Sequence, residues 1–135
     1  MRVTFEVRGD ATAKGRPRMT RTGRAYTPAR TANAEAYVRM LAAGAMAGAE
    51  PLDGPLRLTV RVVAVPAASW SQKRRAVALA GGERPTKRPD LDNQIKLITD
   101  AINGVVYRDD CQICEITAAK EYGPVAHSVV TVEAL

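Results

Sequence analysis

Residues 2 to 8 alternate strictly: Val3, Phe5 and Val7 fall on one side, Arg2, Thr4, Glu6 and Arg8 on the other. That period of two predicts a half-buried strand. The same period returns from Leu56 to Val65, with Leu56, Leu58, Val60 and Val62 on one face. Between them the repeat changes. Ala34, Tyr37, Val38, Leu41 and Ala45 follow helical spacing, predicting a helix over 29–49 that Gly44 and Gly48 weaken at its end. Ahead of this helix, Gly15, Pro17, Gly23 and Pro28 mark a loop. Ser69 or Ser71 can cap a short helix through "SQKRRAVALA", which Gly81-Gly82 stops. A further helix is expected from about Asn93 to Ile102, ended by Asn103-Gly104. Val105 to Tyr107 and Cys111 to Tyr122 read as strands around an Arg108-Asp109-Asp110 turn, and His127 to Glu133 as a last strand. Helices and strands mix without repeats, and several strands are consecutive. The expectation is one α+β domain over residues 1–135, a mixed β-sheet with helices packed on it.

The third helix carries an unusual polar load. Leu91, Ile95, Ile98 and Ile102 form a narrow apolar face, while Asn93, Lys96 and Asp100 group opposite, with Leu97 also outside that apolar face. Asp92 is a natural N-cap, and Pro89 favours extended backbone before it. Asp90-Leu91-Asp92 then reads as extended, with Leu91 turned inward and both carboxylates on one side. Asp109 and Asp110 form a second acidic pair at the predicted turn. Taken singly, each pair has a plain explanation, a cap or a turn. Together, because like charges repel, they need a solvated surface, Lys or Arg partners, or a metal ion, and two linked pairs favour the last. If the helix folds back so that the strand start lies beside the helix start, a divalent cation relieves the repulsion. Mg²⁺ prefers oxygen ligands and keeps several waters and substrate phosphates. A calcium loop starting at Asp90 fails, since its sixth and twelfth positions are Ile95 and Ala101 rather than Gly and Glu.

Charge changes the picture more than size does. The chain has 135 residues and a formal net charge of +6. Lys14, Arg16, Arg18, Arg21, Arg24 and Arg30 lie between Ala11 and Ala34 with no acid among them, and the other 14 basic residues balance the 14 acidic ones. A basic segment carrying the entire excess points to a polyanion, most simply nucleic acid, held by phosphate contacts without reading sequence. Lys73, Arg74, Arg75, Lys87 and Arg88 can extend the track. One Trp, four Tyr and one Phe argue against a broad base-stacking surface. No uncharged run exceeds 11 residues, too short to span a bilayer, so no membrane partner is expected. Two cysteines make no disulfide framework and predict reduced thiols in the cytoplasm. Cys111-Gln-Ile-Cys114 lacks the second pair a zinc site needs, and the single His127 argues against histidine-based chemistry.

The stretch "KRPDLDNQIKLITDAINGVVYRDDCQI" closely resembles the signature of the RusA family of Holliday junction resolvases: P-D-x-D-N, a Lys three residues on, D-A-x-N-G, then Y-x-D-D-x-Q-I. The upstream "AKGRPRMTRTGRAYTP" and "SWSQKRR" are similar to basic segments of its members, so the likeness spans most of the chain. One departure is Cys111, where Ser or Ala is common. The resemblance implies a Mg²⁺-dependent endodeoxyribonuclease, with Mn²⁺ as a substitute, that nicks four-way or branched DNA symmetrically as a homodimer, in DNA recombination and repair. It implies Asp90, Asp92 and Asp110 as essential acids, Asp109 as their less critical neighbour, and Lys96 as a basic residue needed for cleavage. On this reading Asp90, Asp92, Asp110 and Asp109 are the metal ligands. Lys96 donates to the scissile phosphate or orients the attacking water. The rivals are a less selective branched-DNA nuclease, a DNA-binding protein without catalysis, and an acidic interaction module.

Overall fold

The computed structural model describes residues 1–12, 18–26 and 29–135. In chain order the elements are β1 (Arg2–Arg8), β2 (Arg18–Met19), β3 (Ala25–Tyr26), α1 (Ala29–Met46), β4 (Leu56–Ala64), α2 (Gln72–Leu79), α3 (Leu91–Ala101), β5 (Ile113–Tyr122) and β6 (His127–Ala134). The main sheet runs β1-β6-β4-β5. Its β1–β6 and β6–β4 pairs are antiparallel and its β4–β5 pair is parallel. The fold is a single α+β domain with a mixed sheet, as the pattern predicts. Inside the stretch expected to be loop, β2 and β3 form a small hairpin. Its turn is closed by Thr20, whose carbonyl accepts from Gly23 N and whose hydroxyl accepts from Arg24 N.

The two long alternating strands form because each presents one apolar and one polar face. Val3, Phe5, Leu56, Leu58, Val60, Val62, Val130 and Val132 line the buried side of the sheet. The other side carries Arg57 against Glu115 at 2.7 Å and Glu133 at 3.4 Å, and Arg61 against Glu121. Such exposed pairs contribute about 0–1 kcal/mol each, so the buried side supplies the stability. On α1 the buried positions are Thr31, Val38, Ala42 and Met46, a stripe rotated from the predicted one. Tyr37 and Ala45 are exposed. Alanine is small enough to face either way, so the alanine-rich helix does not declare its buried side. The helix also stops at Met46, three residues short of the prediction, where Ala47 and Gly48 take positive φ of 50° and 81°.

Three other local expectations change. The third helix begins at Leu91, not Asn93: Asp90 takes the extended N-cap geometry (φ −64°, ψ 139°), and its carbonyl accepts the first helical bond from Gln94 N at 3.1 Å. Asp92 therefore lies in the first turn, and Asp90-Leu91-Asp92 is not an extended segment. Leu97, outside the predicted apolar face, is buried because α1 packs along the flank of α3. Val105 to Tyr107 is a turn, not a strand. Val105 N and Val106 N both donate to Ile102 O, and Gly104 N donates to Tyr107 O, leaving only isolated bridges.

The strand after the acidic pair holds a β-bulge. Leu56 pairs with Ile113 but Arg57 pairs with Glu115, so Cys114 is skipped. Parity flips there. Partners in a parallel ladder share a side, so Ile113, Ile116, Ala118, Lys120 and Tyr122 all face the helix layer beside Leu56, Leu58, Val60, Val62 and Ala64. No helix among the described residues is long and apolar enough to cross a membrane.

Leu97→Ala separates a core position from a surface one. Loss of its side chain inside the α1–α3 contact should lower unfolding free energy by about 2–5 kcal/mol in urea titration; an exposed leucine would change it by less than about 0.5 kcal/mol.

Candidate active site

The Asp109-Asp110 pair is positioned by Gln112. A short 3₁₀ turn over Asp110–Gln112 leads into β5, with Asp109 as its N-cap. Gln112 Oε1 accepts from Arg108 N at 2.9 Å and Asp109 N at 3.1 Å. Its Nε2 donates to Leu52 O at 2.9 Å and Gly54 O at 3.1 Å. One amide thus fastens the acidic turn to the segment entering β4. Tyr107, fully buried just ahead of the pair, donates from its hydroxyl to Thr99 O at 2.6 Å. That bond ties the turn to α3. Arg39 of α1 donates to Ala101 O and Asn103 O, closing the helix C-terminus.

These braces bring the start of α3 and the start of β5 onto one open cleft of about 270 Å³. Its walls are Asp92, Ile95, Lys96 and Thr99 from α3, and Asp110, Ile113 and Ile116 from the turn and β5. Ile113 and Ile116 share the cleft because the bulge at Cys114 puts both on the helix side. Lys96 Nζ lies 3.3 Å from Asp100 Oδ1. Of the acids singled out in the sequence, Asp92 and Asp110 share the cleft with Lys96. Asp109, the preceding residue, adjoins it and acts on the Asp110 carboxyl. Asp90 is not among the cleft walls; its side chain makes no capping bond and meets Asn93 Nδ2 at 3.5 Å. Among the described residues, no three acidic, histidine or cysteine side chains lie close enough to hold a metal ion.

The electrostatics follow from this crowding. The hydrogen bond to Asp109, burial and the charge of Asp109 push the Asp110 carboxyl above the ordinary carboxylate range, against the opposing pull of Lys96. The same hydrogen bond, together with the Cys111 backbone N–H, holds Asp109 below that range. Two adjacent carboxylates do not both ionise freely, so their shifts run in opposite directions. Burial, then the charges of Asp110, Asp100 and Asp109, push the Tyr107 phenol upward. The charge of Asp109 is the largest cause raising the Cys111 thiol.

The basic residues distribute unevenly. Lys14 and Arg16 lie outside the described residues, and Arg18 is in β2. Arg21 and Arg24 are exposed at the β2–β3 turn, and Lys73 and Arg75 are exposed on α2. Arg74 is engaged within the fold: its guanidinium sits 3.6 Å over the Trp70 ring and pairs with Glu83 at 2.7 Å. Lys87 and Arg88 are exposed on the loop before α3, where Arg88–Pro89 is cis. Sequence reasoning gave no role to Gln112, Tyr107 or Lys120. Gln112 was visible only as the Q of Y-x-D-D-x-Q-I. Lys120 looked like one more strand lysine, yet its Nζ donates to Lys87 O at 2.7 Å and Pro89 O at 3.2 Å.

Carboxylates and a lysine meeting in one cleft are an arrangement for acting on phosphodiesters. The family model described as endodeoxyribonuclease RusA matches residues 8–133, and the chain belongs to that family. The chain is also similar to the uncharacterised protein YqaN of Bacillus subtilis (strain 168), at 34% identity over 125 residues, 89% of this chain and 87% of that protein.

Replacing Gln112 with Ala strands two backbone donors and two carbonyls. We expect a loss of about 1–3 kcal/mol in unfolding free energy. Amide hydrogen exchange at Arg108 and Asp109 should accelerate while Val60 stays protected. Unchanged exchange at those two amides would show that the acidic turn does not depend on this side chain.

Proposed function

We propose that the protein is a Mg²⁺-dependent, structure-selective endodeoxyribonuclease. It resolves four-way junctions in the cytoplasm by paired symmetric hydrolysis, as a homodimer serving DNA recombination and repair. One observation carries the reading: Asp92 and Asp110 meet Lys96 across a single cleft in a chain of the RusA endodeoxyribonuclease family. The donor set fits the ion. All candidate ligands are carboxylate oxygens, and two carboxylates with waters and a substrate phosphate are what Mg²⁺ commonly accepts. Asp92 and Asp110 would hold it, with Asp90 and Asp109 completing the acidic set. When bound, the ion supplies charge neutralisation at the phosphodiester and a more acidic water.

The chain's own groups do the rest. Lys96, steadied by Asp100, donates to a nonbridging oxygen of the scissile phosphate and stabilises the charge that develops there. Ile95, Ile113 and Ile116 give the cleft apolar walls beside these charges. A cation held there would favour the ionised form of Asp110, whose carboxyl Asp109 otherwise pushes upward. Two copies related by a two-fold axis present two such clefts to the two strands of a junction.

The test is nicking of a labelled four-way junction beside linear duplex and flap controls. Two symmetric nicks, confined to the junction and abolished by EDTA, are expected. Asp92→Asn and Asp110→Asn should abolish nicking while junction binding persists in a gel shift, and Lys96→Met should slow it by about 10²–10³-fold. Equal cutting of flaps would favour the less selective nuclease, and retained Mg²⁺-dependent nicking by Asp92→Asn would rule out its role.

A further inference from the structure

The first turns of α3 separate two depressions. On the side away from Asp92 and Lys96 lies a second cavity of about 380 Å³, within the range of small-molecule sites. Trp70, Tyr122, Lys87, Arg88, Lys120 and Gln94 line it. Arg30 and a single acid, Asp10, also reach it, so cations outnumber acids on its walls. Three features mark it as a built site. Trp70 and Tyr122 meet edge to face, with centroids 5.4 Å apart and planes at 71°, and Arg74 holds Trp70 in place from one face. Lys120 uses two N–H groups on Lys87 O and Pro89 O, and an ammonium has a third to give. Gln94 is 2% exposed, and its Oε1 has no hydrogen-bond partner among the described residues.

A buried amide oxygen left without a donor is costly, and its retention calls for a partner that arrives from outside. The partner must bring an N–H donor, a flat face suited to aromatic rings, and negative charge for the cations. Those are the attributes of a nucleotide. A paired base cannot supply them, because its face is stacked and its donor edge is engaged in the duplex. We propose that this cavity takes one unpaired nucleotide of the DNA, its base against Trp70 and Tyr122 with an N–H on Gln94 Oε1, and its phosphate on Lys87, Arg88 and Lys120. The proposal deepens the nuclease reading and rests on it for the identity of the polymer. Beside the cleft, across the first turns of α3, such a pocket would fix which nucleotide flanks the cut.

Trp70 is the chain's one tryptophan, so its emission reports this cavity directly. The experiment titrates the purified full chain in EDTA with deoxyadenosine 5′-monophosphate, and separately with deoxyadenosine and with inorganic phosphate. A saturable change in emission with the nucleotide is expected, weaker with either part alone. Gln94→Met, which keeps the shape and removes the acceptor, should weaken binding about fivefold, as should Arg88→Gln. Gln94→Met should melt no lower than the parent, and Arg88→Gln, at an exposed site, serves if it does not fold. No saturable response, an equal response to inorganic phosphate alone, or indifference to both substitutions would overturn the proposal. Because no cleavage is read, the two readings fail separately. A chain that nicks junctions without any Trp70 response loses only the pocket, and one that binds the nucleotide without nicking loses only the nuclease.

Discussion

Two carboxylic acids side by side are a destabilising arrangement, and most of the local structure around Asp109 and Asp110 exists to hold them there. The Gln112 amide satisfies the backbone on both sides of the pair and anchors it to Leu52 and Gly54. The Tyr107 hydroxyl pins the preceding residue to Thr99 of α3. Neither contact uses charge. Neutral hydrogen bonds and the buried Tyr107 fix the acidic turn.

The same constraint sets the rest of the site. Because the turn is tied to α3, the helix start and the strand start share a cleft. Because β5 bulges at Cys114, the strand turns Ile113 and Ile116 under that cleft and, further along, Lys120 and Tyr122 toward the loop before α3. One edge strand therefore serves both depressions: its beginning supports Asp110, and its end braces Lys87 and Pro89. The parallel pairing with β4 makes this possible, since it carries the chain from the end of β4 across the helix layer and back.

Much of this was legible in the sequence. Strict alternation marks β1 and β4, and each buries the face it predicts. The Ser71 cap and the Gly81 stop frame α2 where expected. The aspartate signature identifies the family and draws attention to Asp92, Lys96 and Asp110, which the fold brings to one cleft. What was hidden depends on tertiary contact. The face of α1 is ambiguous because alanine packs on any side. Gln94 and Leu97 look like surface residues until α1 covers that flank of α3. A bulge has no period of its own, so the inward turn of Lys120 and Tyr122 could not be read from a run of strand-forming residues. The low aromatic content argues against a broad stacking surface, yet it says nothing about two rings meeting in one cavity.

The central claim is that Asp92 and Asp110 hold a single divalent ion between them. Mn²⁺ binding to the purified chain, followed by electron paramagnetic resonance for the parent, Asp92→Asn, Asp110→Asn and the double variant, addresses it directly. Shared ligation predicts that each single substitution weakens binding nearly as much as both together. Losses that simply add, or no loss from either, would contradict it.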